Sequence, residues 1–437
     1  MAQTRRGNFC GSTDHAIGRR GFLGALAAGA SAFAADMTLL DVLKSPVLAG
    51  ELKKRQKRVI LLWLAGGASQ LETWDPKPGA TTGGPFRAIN TNVSGVQISE
   101  LMPRMARRMD RTCVIRSLNT KNGDHGAAAK LMMRGRMDDP SLRYPDLGAV
   151  LAKELGRAQS PVPDYVSFYT PTEGRDFGPG APGFLGSRFA PIELTSGLVP
   201  ENIRRPGAVA ELDHRDRADL RELMTRRFAQ GRPSTALAAH NEAYGRVRGL
   251  MSSDVLFDVS KEPAKVRDAY GPTQFGEQAL VARRLVEAGV PFVRVARAWW
   301  DSHGENFETH QELVPELDLV MSTLLDDLER RGLLESTLVI TLAEFGRTPT
   351  INGSLGRDHF ATAWSATLSG AGIKGGSVFG KTDPKGQAVV EGEVGAAELF
   401  ATIYQALGID PQKEYLVGTR PVPLTEPGTE AIADVLA

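Results

Sequence analysis

The chain has 437 residues, enough for one large domain or two ordinary ones. Its 52 basic and 51 acidic residues leave a formal net charge of +1, which gives no sign of attraction to nucleic acid or to a membrane surface. Two cysteines, Cys10 and Cys113, exclude a disulfide framework and a cysteine-built zinc site.

The first forty residues read as an address. Arg5, Arg6, Arg19 and Arg20 make the start basic, and Gly18-Arg19-Arg20-Gly21-Phe22-Leu23 pairs two arginines with two apolar residues. The Ala/Gly-rich stretch from Ala25 to Ala34 is far shorter than the ~20 apolar residues of a spanning helix. Ala32 and Ala34 fit a small-x-small cleavage site. Residues 1–35 are therefore expected to be a twin-arginine signal peptide, with the translocase as a transient partner and a periplasmic or secreted destination. Residues 36–57 read as a basic linker, and nothing later in the mature chain is apolar enough to span a membrane.

The remainder, 58–437, alternates short apolar runs with amphipathic stretches. Val59–Leu64 is continuously apolar, as a strand buried on both faces requires. Similar strands are expected at 113–116, 165–168, 292–295, 337–342 and 364–368. Helical patterns lie at 101–109, 126–135, 273–288, 307–331 and 394–407, with two charged helices within 208–251. Residues 171–207 are rich in Pro and Gly, and 171–251 together suggest a cap or insert. The expected fold is α/β, a mostly parallel central sheet with helices on both faces.

In such sheets ligands bind beyond the carboxyl ends of the strands. Asn119-Thr120-Lys121-Asn122-Gly123-Asp124-His125 follows one predicted strand, and Trp299-Trp300-Asp301-Ser302-His303 follows another. Glu344-Phe345-Gly346-Arg347 follows a third and leads to Gly356-Arg357-Asp358-His359. Imidazole with carboxylate is the usual donor set for zinc or another divalent ion; each pair alone is more often a loop hydrogen bond or a helix cap, and only the joint position at strand ends brings the metal reading level with that one. His310 reads as a surface or packing residue, and His214 and His240 as solvated. Arg347 and Arg357 suit either an anion or a salt bridge to Glu344 or Asp358. Gly375–Thr382 matches a phosphate-binding loop, but Asp383-Pro384 blocks the helix such a loop must enter, so turns between short strands are expected there. No G-x-S-x-G elbow is present.

These segments resemble a bacterial exported family of unknown function within the alkaline phosphatase/sulfatase superfamily. The resemblance runs from Arg58 to the C-terminus through Leu64-Ala65-Gly66-Gly67, Trp300-Asp301-Ser302-His303, Glu344-Phe345-Gly346-Arg347-Thr348-Pro349, Gly356-Arg357-Asp358-His359 and Gly372-Ile373-Lys374-Gly375-Gly376. It implies a metal-dependent hydrolase of phosphate or sulfate esters, acting on a small anionic ester or a sulfated or phosphorylated glycan. It implies one divalent ion (zinc, calcium or manganese) held by Asp301, His303, Glu344, Asp358 and His359, with His125, Thr120 and Arg347 as catalytic candidates. Two departures stand out. The first strand ends in Ala65-Gly66-Gly67 where the superfamily has a metal-binding Asp, with Glu72 or Asp75 as the candidates to substitute from further along, and the nucleophile position near Asp124-His125 has no hydroxyl. These departures keep a second reading open, a non-enzymatic binding protein on the same fold.

Overall fold

A computed structural model describes residues 56–437 other than 138, 158–159, 161, 170–179, 196, 202, 204–206 and 231–234. The signal peptide and nearly all of the linker lie outside the described residues, as does the side chain of His240.

Eight strands make one sheet. They are β1 (Arg58–Leu64), β2 (Thr112–Leu118), β3 (Tyr165–Phe168), β4 (Ile192–Leu194), β5 (Phe292–Arg297), β6 (Thr337–Leu342), β7 (Trp364–Gly370) and β8 (Ser377–Phe379). Their order is β8-β2-β7-β6-β1-β5-β3-β4. β7 is antiparallel to both of its neighbours, β2 and β6, and every other pair is parallel. All seven residues of β1 are buried, so both faces of the sheet are covered at its centre. The helices are α1 (His125–Arg134), α2 (Leu147–Leu155), α3 (Glu211–Ala229), α4 (Thr235–Ser252), α5 (Ala264–Tyr270), α6 (Gln274–Ala288), α7 (Asn306–Arg330) and α8 (Ala396–Ala406). Among the described residues no helix is long and apolar enough to cross a membrane.

The expected strands and most helices form where the patterns put them. The stretch 101–109 does not become a helix. Met105–Arg107 and Met109–Arg111 form two separate tight turns, because the Asp318 carboxylate of α7 takes the amides of Arg104 (3.0 Å) and Met105 (2.7 Å). A remote side chain thus satisfies donors that a helix would otherwise leave open at its start. Residues 171–251 hold α3, α4 and also β4, which pairs with β3, so this stretch contributes an edge strand to the main sheet. Gly375–Thr382 contains β8 and the two-residue strand Lys381–Thr382, with no helix after it. His310 is fully buried on the first turns of α7. Its Nε2 accepts the Ser69 amide at 2.9 Å, its Nδ1 donates to the Asn306 carbonyl at 2.8 Å, and burial lowers its pKa to about 4.

Parallel register brings strand ends together. Trp63 of β1 lies opposite Ala296 of β5 and Leu342 of β6, so the loops after all three strands emerge at one rim. Gly66 is the hinge of that rim. Its φ is +113°, and a Cβ there would stand 2.5 Å from the Asp301 amide nitrogen. The position is a backbone strut against Trp300 and Asp301, with no room for a side chain. Gly66→Ala should cost ~1–2 kcal/mol for the backbone conformation and ~1–3 kcal/mol for overpacking. Urea denaturation should show the loss, and wild-type stability in this variant would show that the rim is not packed on Gly66.

Candidate functional site

Four loops supply the site. His125 is the first residue of α1, which Asp124 caps by accepting the Ala127 amide at 2.9 Å. Asp301 and His303 follow β5. Glu344 follows β6. His359 arrives on a two-stranded hairpin in which it pairs with Arg347.

Asp301 is the centre. One of its carboxylate oxygens lies 3.1 Å from His125 Nε2. The other lies 3.1 Å from His303 Nε2, 3.2 Å from His359 Nε2 and 2.6 Å from Arg347 Nη2. Burial works against its ionisation, but the hydrogen bonds of His125 and His359 and the Arg347 guanidinium outweigh it and hold the carboxyl well below the usual range.

Each imidazole is pinned from behind. His359 Nδ1 donates to the Gly123 carbonyl at 2.7 Å, His303 Nδ1 to Asp358 at 2.8 Å and His125 Nδ1 to Glu344 at 2.9 Å. A carbonyl or carboxylate oxygen only accepts, so Nδ1 carries a proton in each ring; Nε2 turns inward, free to offer its lone pair to a cation or, when protonated, to donate to Asp301. The His303 and His359 Nε2 atoms are 2.9 Å apart. Lone pairs converging on one another and on a carboxylate repel unless a cation lies among them. In the metal-free protein a proton serves. Burial, the largest single effect on His125, disfavours its charge, yet Asp301 and Glu344 together raise its pKa to about 8.

The donor set fits a divalent ion. Donor atoms of His125, Asp301 and His359 lie within 4.8 Å of one another. Asp301, Glu344 and Asp358 are three carboxylates at or directly behind the cluster, against the one guanidinium of Arg347. That residue of negative charge is what a divalent cation neutralises. Behind the rings lies Phe345, buried, with ring centroids 4.8 Å from His125 and 4.3 Å from His359. It is an apolar floor that fixes the imidazoles.

The remaining expected residues take other places. Glu344 is fully buried; its Oε1 takes the Gly66 amide at 2.8 Å as well as His125, so it stands behind the cluster. Asp358 likewise stands behind His303. Arg347 is fully buried and donates to the carbonyls of Gly66, Gly67 and Arg357 besides Asp301, which leaves it a positioning role. Arg357 pairs with buried Glu72 at 2.8 Å. Asp75 pairs with Lys77 at 2.9 Å, so neither Glu72 nor Asp75 joins the cluster. Thr120 turns its hydroxyl to the Ala361 carbonyl at 3.4 Å.

Among the described residues, the non-glycine positions with positive φ are Lys121, Trp299, Glu305 and Leu355. Each lies within four residues of His125, Asp301, His303 or Asp358. Backbone strain of this kind gathers at functional sites. Neither it nor the Phe345 floor had any signal in the sequence.

In fold comparison the chain is similar to the PsFucS1 sulfatase from Pseudoalteromonas sp., at 14% identity and a TM-score of 0.39 over 83% of this chain and 69% of that one. It is similar to the lipoteichoic acid synthase LtaP from Listeria monocytogenes, at 10% and 0.37 over 82% and 73%. It is also similar to a phosphonate monoester hydrolase of Agrobacterium radiobacter, at 10% and 0.33 over 86% and 78%. No curated protein matches by sequence. Residues 56–436 match a family model described as a protein of unknown function (DUF1501), and the chain belongs to that family.

Proposed function

We propose that this protein is a periplasmic, metal-dependent hydrolase of phosphate or sulfate esters, within the alkaline phosphatase/sulfatase superfamily. The observation that carries the reading is the convergence of three outward-pinned imidazoles on Asp301. His125, Asp301 and His359 would hold one ion, which when bound supplies Lewis acidity toward an ester oxygen or a bound water. Glu344 and the Gly123 carbonyl keep the His125 and His359 lone pairs inward, and Arg347 keeps Asp301 ionised and in place. His303 lies at the exposed edge with Asp358 behind it. Its Nε2 takes the proton of the attacking water and returns it to the leaving oxygen. With the Thr120 hydroxyl turned away, water attacks directly and no ester forms on the protein. The same orientation favours the second reading, a binding protein that holds an ion and turns nothing over.

Metal analysis after reconstitution with zinc, calcium or manganese tests the site. His125→Ala and His359→Ala should each lose most of the metal while keeping wild-type circular dichroism, and Glu344→Gln should weaken binding about 10–100-fold. His214→Ala, on α3, serves as the control. Because His125 holds its proton up to about pH 8, metal affinity should fall by about tenfold for each pH unit below that value. Equal metal in all variants sinks the site.

Aryl phosphates, sulfates and phosphonates, offered to the reconstituted protein, test the reaction. Turnover of one class that disappears in His303→Ala, with metal content retained, supports the hydrolase. Full metal occupancy with no turnover favours the binding protein. The location has its own test: Lys at both Arg19 and Arg20 should hold the protein in the cytoplasm, and unchanged delivery would remove the export proposal.

A further inference from the structure

Helix α3 carries its large apolar side chains outward. Its protein-facing side is small and polar: Ala218 is buried, and His214, Arg221 and Thr225 are half-buried. The Arg221 guanidinium lies over the Tyr244 ring of α4 at 3.4 Å, which fixes that side. A helix packed on a domain ordinarily turns its apolar stripe inward. Here Leu212, Leu220, Met224 and Phe228 are each more than half exposed, and Leu223 is 41% exposed. Twelve large apolar side chains are exposed among the described residues, and five of them stand on this one helix. Single exposed apolar residues need no explanation, whereas a gathering of them marks an interaction face.

The spacing on this face has a centre. Leu220, Leu223, Met224 and Phe228 recur at the three- and four-residue steps of one helix side. Leu212 lies eight residues before Leu220 and Phe228 eight after it; Asp213 lies seven before and Arg227 seven after. Charge divides about the same point. Four of the five acidic side chains of α3 precede Leu220, and three of its five arginines follow it. A face symmetric in its apolar residues and opposite in its charges complements a copy of itself run antiparallel. Parallel pairing would set acid against acid, arginine against arginine and the two helix dipoles side by side in one direction.

We propose that α3 is the interface of a two-fold symmetric homodimer. Leu220 meets the partner's Leu220 at the axis, Leu212 meets the partner's Phe228, and Asp213 pairs with the partner's Arg227. A helix of 19 residues is ~28 Å long, so the contact belongs to the small, transient class, below ~1,200 Å² in total. The dimer needs nothing from the Asp301 cluster and is independent of the ester-hydrolase reading.

Sedimentation equilibrium of the full chain, from about 1 to about 100 µM, tests the interface and should show a monomer–dimer equilibrium in that range. Leu220→Arg sets two cations face to face at the axis and should weaken the dimer by on the order of a hundredfold, with circular dichroism unchanged. D213R and R227D should each weaken it roughly 3–10-fold, because the axis repeats every pair, and D213R/R227D together should restore it. In a Cys10→Ala background the remaining Cys113 is buried. There, Leu220→Cys should give a disulfide-linked dimer under copper-phenanthroline. Leu212→Cys should not, since its two copies lie about 24 Å apart along an antiparallel pair. A monomer at every concentration, a double variant no tighter than either single one, or crosslinking of Leu212→Cys would overturn the proposal. Binding of the monomer to phosphatidylcholine vesicles, lost in Leu220→Arg, would overturn it too and make the face a membrane contact.

Discussion

The rim of this sheet depends on how one half-buried carboxylate is kept ionised. Asp301 stands between Arg347 on one side and three imidazoles on the other. Arg347 is more than a counter-charge. The same guanidinium donates to the carbonyls of Gly66 and Gly67, so the end of β1, the loop after β5 and the hairpin carrying His359 are tied at one point. Such a pair is weak evidence for stability, since taking both charges from water offsets most of their attraction. Its value here lies in position. Remove the guanidinium, and Asp301 keeps its burial but loses its one permanent cation.

The same logic explains why the carboxylates behind the rings matter as much as the atoms facing in. An imidazole can present either nitrogen, and choosing one costs a hydrogen bond at the other. Glu344, Asp358 and the Gly123 carbonyl make that choice for His125, His303 and His359. Glu344 is held in turn by the Gly66 amide. The Gly66 amide and the Gly123 carbonyl, backbone groups of two loops, thus take part in orienting the donors.

How far this was legible in the sequence follows from the range of each interaction. Continuous apolar runs such as Val59–Leu64 report burial on both faces, and the strand followed directly. Asp301, His303 and His359 were visible because the α/β pattern puts loops after strands at one rim. Their division of labour was not visible. Glu344 and Asp358 have the chemistry of ligands, and only the fold shows an imidazole standing in front of each. Arg347 read equally well as an anion contact, because nothing local marks a guanidinium whose partners are carbonyls some 280 residues away. The stretch 101–109 failed for the same reason, its decisive partner being Asp318. The signal peptide, the linker and the boundaries of the 171–251 stretch rest on composition alone.

Strain adds a last step. Most non-glycine residues avoid positive φ, yet Lys121, Trp299, Glu305 and Leu355 adopt it on the loops that carry the cluster. Such backbones persist only where their surroundings over-determine them. Here the surroundings are the parallel strands, which are buried and in register, and which bring four loops into a space that relaxed turns would not share. The Phe345 ring fills the floor and Gly66 the hinge, so the rings above have no apolar slack to collapse into. A rim held this way keeps its donors apart against their mutual repulsion before any cation arrives. The free energy for that comes from the sheet beneath it. A protein selected for stability alone would place glycine at these bends.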